Sequence, residues 1–99
     1  MSTQMSEEQA YQRIAVLTSQ RSFLEVRRIG MVKAIRALKV LIDEGLLPGG
    51  SENPAYRSVT ETIAALNVER VEMWQAITAL ASEIDRLTRL AQDGAFSHA

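Results

Sequence analysis

In the C-terminal half of the chain, Val59, Ile63, Leu66, Arg70, Met73, Ile77, Leu80, Ile84, Leu87 and Ala91 follow one another at alternating steps of four and three. In the N-terminal half, Ile14, Leu17, Arg21, Leu24, Arg28, Met31, Ile35, Leu38 and Ile42 keep the same rhythm, starting with a three. Steps of this kind make a stripe on one side of a helix and are far from the alternation of a strand. Two seams of matching length separated by a strong turn signal predict two antiparallel helices. The turn is "GLLPGGSENP" at residues 45–54, which holds three of the glycines and both prolines and is enough to stop a helix and reverse the chain.

The ends of the helices are marked as clearly as their faces. "SEEQ" at residues 6–9 places Ser6 as an N-cap and Gln9 at the capping-box position. Asn53 followed by Pro54 is an N-cap with proline at the first helical position. "QDGAFSHA" stops the second helix near Gly94. The expected layout is a helical region over about 6–47, a turn at 45–54, a helix over about 54–93 and a tail at 94–99, all in a single domain. A continuous first helix would be ~60 Å long. The polar run "TSQRS" at residues 18–22 therefore predicts a break. The fold class expected is all-α, with a short N-terminal helix and a long antiparallel, coiled-coil-like hairpin.

Apolar residues also lie off the seams: Val16, Phe23, Val26, Ile29, Val32 and Val40 on the first helix, and Val71 and Trp74 one turn apart on the second. A chain of 99 residues buries a limited fraction of its surface, and exposed apolar faces invite association. A symmetric homo-oligomer is the expected assembly. Trp74 and Met73 read first as packing residues and only second as a ligand-stacking pair.

Composition narrows the function by exclusion. Eleven basic and twelve acidic residues give a formal net charge of −1, which argues against a DNA- or RNA-binding protein. There is no cysteine, and the one histidine is His98 in the polar tail, so cysteine zinc sites and histidine acid–base chemistry have no residues to use. No apolar run approaches a membrane span, and the start, "MSTQMSEEQ", lacks the parts of a signal peptide. The expectation is a soluble cytoplasmic protein that is not an enzyme and uses no metal or cofactor.

Three arginines interrupt the seams: Arg21, Arg28 and Arg70. They are open to two readings. In one, each lays its methylenes on the core, keeps its head in solvent and pairs with Glu25, Glu69, Glu72 or Glu83. In the other, Arg21, Arg27, Arg28, Lys33 and Arg36, with Glu25 the only acid among them, form an anion site that the second helix completes with Arg70. The planar fork of arginine suits phosphate. Gly30 costs ~1 kcal/mol relative to alanine inside a helix, which either a closely approaching ligand or close packing between protomers would explain.

The segments "AYQRI" (residues 10–14), "VRRIG" (26–30) and "NPAYRSVTET" (53–62) resemble the bacteriophage helical-hairpin proteins that sequester nucleotide immune signals. These are the anti-CBASS cyclic-nucleotide sponges and the hairpin of their anti-Thoeris relatives. The resemblance implies that Tyr11 stacks on a base and Arg27 contacts phosphate. It also implies that Gly30 and Thr62 sit at the ligand site, and that Asn53, Pro54 and Tyr56 start the last helix. It further implies homo-oligomers, commonly hexamers, with ligand held between protomers in the cytoplasm of the infected host. The family's usual lysine is arginine at Arg27, and Gln75 stands where an arginine is expected, with Arg70 one turn away. Tyr11, Arg27, Arg28, Gly30, Thr62 and Arg70 are thus the expected ligand-binding residues, with cyclic di- or trinucleotides as the expected partners. The alternative is a helical-hairpin protein–protein adaptor or inhibitor using the Val71/Trp74 surface.

Overall fold

The computed structural model describes residues 5–94; His98 lies outside them. Its elements are helix α1 (Glu7–Asp43), a 3₁₀ turn (Gly50–Glu52) and helix α2 (Pro54–Gln92). The fold is all-α, as the seams predict. Every seam position is buried or half-buried, and all the exposed large apolar residues lie off the seams. Local chemistry sets each boundary. At the start of α1 the Gln9 backbone N–H donates to Ser6 Oγ at 3.2 Å, and the Ser6 N–H donates to Gln9 Oε1 at 3.0 Å, which makes a complete capping box.

Two expectations about α1 need correction. It is one uninterrupted helix through residues 18–22, with no separate short N-terminal helix. The "TSQRS" run contains no glycine or proline, and its polar residues each cost only about 0.5 kcal/mol of helix propensity. The Thr18 hydroxyl donates back to the Ile14 carbonyl at 2.7 Å, so its hydrogen bond is made inside the helix. Buried Leu17 and half-buried Arg21 hold the segment to the seam. The helix also ends at Asp43, short of the expected 47. The Leu46 N–H bonds to the Leu41 carbonyl at 3.1 Å and the Gly45 N–H to that of Ile42 at 3.2 Å. This is a Schellman cap, for which Gly45 supplies the left-handed φ of 63°.

The turn positions α2. Asn53 Oδ1 accepts the Ala55 N–H at 2.8 Å, while its Nδ2 donates to the Pro48 carbonyl at 2.7 Å. One side chain therefore caps α2 and ties it to the loop, with Pro54 at the first helical position.

The chain divides into two units. The first takes the residues through Glu25 and those from Gln75 onward; the second is Val26–Trp74. In the first unit Ala10, Leu17, Ile77 and Leu87 form the core, with Leu87 only 2% exposed. Its surface carries the ion pair Glu83–Arg86, in which Arg86 Nη2 lies 2.6 Å from Glu83 Oε1. That hydrogen bond holds the Glu83 carboxyl below its ordinary pKa; desolvation opposes it, and the charges of Arg86 and Arg13 add to it. The second unit is a helical hairpin in which Ile35 is the buried residue. No helix among the described residues is long and apolar enough to cross a membrane.

Candidate functional site

Two contacts fix the register of the second unit. The Arg28 guanidinium carbon lies 5.2 Å from the Trp74 ring centroid, and Val32 and Ile35 share a pocket with Asn67 and Arg70. Arg28 is thus level with Trp74, and the seam positions of α1 descend past those of α2 toward the turn. Arg28 on the seam of α1 and Arg70 on the seam of α2 lie about one turn apart along the hairpin.

The pocket has a volume of ≈ 230 Å³ and is lined by Val32, Ile35, Arg36, Lys39, Asn67 and Arg70. Val32, Arg36 and Lys39 recur at i, i+4 and i+7, one flank of α1, while Asn67 and Arg70 come from the facing flank of α2. The lining therefore contains three cations, one amide and two aliphatic residues, and no carboxylate. Among the described residues neither Arg36 nor Lys39 takes part in an ion pair. Arg70 Nε donates to Asn67 Oδ1 at 3.4 Å, a long hydrogen bond that aims the guanidinium and leaves its terminal nitrogens available. Like charges gathered without a counter-charge repel one another, and an anion relieves that repulsion.

The flank carrying the pocket continues as Ile29 on α1 and as Val71 and Trp74 on α2. These are exposed, Trp74 by 54%. A half-exposed indole with a guanidinium over its ring is a platform for a planar group. Arg28 Nε is buried and has no hydrogen-bond acceptor. The same holds for Arg21 Nε in the first unit, where the Glu25 carboxylate at 3.8 Å is close enough to attract but too far to accept a hydrogen bond.

The expected ligand residues distribute as follows. Arg28 and Arg70 come together. Arg27 is exposed and lies on the flank of α1 opposite Ile29. Thr62 is exposed, with its hydroxyl donating to the Ser58 carbonyl at 2.8 Å. The register puts Thr62 about 20 Å along the hairpin from Arg27. Gly30 faces open space, since a Cβ built there meets nothing within 4 Å, so no close approach among the described residues accounts for the glycine. Tyr11 is exposed and belongs to the first unit. The sequence pattern puts Arg36 in the basic cluster but gives no weight to Lys39 or Asn67. The available signal was the helical spacing that Lys39 shares with Val32 and Arg36. No group of acidic or histidine side chains among the described residues is arranged to hold a metal ion.

Fold and pocket define the class: an all-α protein whose second unit is a helical hairpin with a cation-lined groove beside an exposed tryptophan. Compared with known proteins, the chain matches no family model, no curated protein and no solved structure.

Proposed function

We propose that this chain is a phage-encoded nucleotide-sequestering protein. It binds cyclic di- or trinucleotide second messengers, or related signals, in the host cytoplasm and does not cleave them. The observation that carries this is the second unit's flank. There an exposed indole, the Arg28 guanidinium stacked on it and the cation-lined groove lie side by side. A cyclic dinucleotide offers what such a flank binds: bases that stack, at ~1–3 kcal/mol each, and phosphates that take charge-assisted hydrogen bonds. Sequestration requires tight holding and no turnover, so it needs no general acid, base or metal. The spread of Tyr11, Arg27, Gly30 and Thr62 over exposed surface fits a ligand held between copies of a homo-oligomer, as in the hexamers of the proteins the sequence resembles.

The test is a thermal-shift screen against cyclic di- and trinucleotides and ADP-ribose derivatives, followed by chromatographic recovery of the bound compound. A thousandfold excess over the dissociation constant stabilises the fold by about 4 kcal/mol. Recovery of an intact ligand, lost in Tyr11→Ala and Arg27→Ala at unchanged Tm, supports sequestration. A cleaved product means an enzyme.

A second reading, a protein–protein adaptor or inhibitor, draws on the exposed Ile29, Val68, Val71 and Trp74 of the same hairpin. It predicts no shift across the nucleotide panel and a specific protein partner whose binding Val71→Asp abolishes.

A further inference from the structure

From the Arg36/Lys39/Arg70 groove we infer a phosphoryl-binding subsite contained within a single hairpin: one chain, without a second copy, holds one phosphate group of its ligand. Its size, its chemistry and its construction support this.

Size sets the class of ligand. At ≈ 230 Å³ the groove is smaller than the ~300–1,000 Å³ of sites that enclose a drug-sized molecule. That accommodates a phosphoryl group with its oxygens.

The donors set the charge and geometry. Arg36 and Lys39 come from one flank of α1 and Arg70 from α2, so the positive charge surrounds the groove on both sides. The two guanidiniums supply forks for bidentate bonds to phosphate oxygens, and the lysine ammonium adds a point charge. With no carboxylate in the lining, nothing in the groove competes for these donors. A phosphate monoester or pyrophosphate end gains more from three cations than a singly charged carboxylate does.

The construction shows that one of the cations is held in place. Arg70 occupies a seam position and is half-buried, and Asn67 accepts its Nε–H. Val32 and Ile35 give the groove an apolar floor. Such a floor also lowers the local dielectric, which strengthens charge-assisted bonds formed above it.

The subsite rests on nucleotide binding only for what the phosphate is attached to. Inorganic phosphate and pyrophosphate are therefore the probes, titrated into the full chain at low ionic strength. Arginine Nε and lysine Nζ NMR signals report the site, and calorimetry gives the dissociation constant. The expected result is that pyrophosphate shifts the Arg36, Lys39 and Arg70 signals, and that Arg36→Gln combined with Lys39→Gln weakens it at least tenfold. Both residues are exposed, so the variant keeps its fold, which its Tm verifies. Arg57→Gln combined with Arg89→Gln removes the same charge at exposed positions outside the groove and is expected to change the constant less than threefold. Equal losses in the two double variants, or probe binding that leaves the Arg70 signal unmoved, overturn the proposal. So does binding that disappears when the protein is diluted to monomers. Failure of nucleotide sequestration is read separately: the cyclic-nucleotide panel gives no shift while pyrophosphate still binds at the groove.

Discussion

Replacing Arg28 by methionine should make the protein more stable. The wild-type residue occupies a seam position, its Nε is buried without an acceptor, and its only described partner is the face of Trp74 at 5.2 Å. A buried donor left unpaired costs ~1–3 kcal/mol. The cation–π contact offsets part of that, ~0.5–1 kcal/mol for a ring as open as this one. Methionine keeps most of the aliphatic stem, fills the same irregular space and retains a favourable contact between sulfur and the indole. The balance is a gain of about 1 kcal/mol, equivalent to roughly 4–8 °C in Tm for a domain of this size. Urea denaturation followed by circular dichroism, at one fixed protein concentration and at a tenfold dilution, measures it. The two concentrations separate the stability of the fold from that of any assembly. A fall in the urea midpoint at both concentrations would refute the reasoning, because it would mean that the guanidinium has a strong partner within the chain. A gain in stability together with loss of nucleotide binding is the signature of a residue kept for a ligand at the expense of the fold.

Gly30→Ala should stabilise by about 1 kcal/mol, since an added Cβ meets no atom within 4 Å and only helix propensity changes. Destabilisation that grows with protein concentration would instead place a second copy's backbone against that face. Leu87→Ala, in the core of the first unit at 2% exposure, should cost ~2–5 kcal/mol in denaturant titration. A loss below 1 kcal/mol would mean that the core there is not closely packed. The Glu83–Arg86 pair gives a pH dependence. The folded carboxyl has its pKa lowered from 4.5, so its contribution is complete above that value and is lost as pH falls through the lower folded one. Glu83→Gln should flatten the acid limb of the Tm–pH curve below about pH 4.5 and leave Tm near neutrality little changed; an unaltered acid limb counts against it.

Much of this molecule is legible before any coordinates. The heptad steps fix which residues face inward because a side chain's direction in a helix depends only on its position in the chain. Ser6 with Gln9, and Asn53 with Pro54, fix where helices begin because a cap is satisfied by residues within a few positions of it. The break expected at residues 18–22 does not form, because polar residues at the surface of a helix cost little and the seam residues around them are held by contacts with the other helix. Those contacts become visible only when the two helices are side by side.

The candidate site depended on tertiary structure throughout. The chain determined that arginines interrupt two apolar seams, that a basic cluster lies in the first helix and that a tryptophan stands off the second. It left open which arginine faces which residue. The register set by the turn decided that: Arg28 meets Trp74, while Arg70 joins Arg36 and Lys39 over Val32 and Ile35. It also put Thr62 far along the hairpin from Arg27. Helix-forming and capping interactions join residues at most about five positions apart, so the sequence alone carries them. A groove between helices joins residues some thirty apart, and the packed hairpin brings them together.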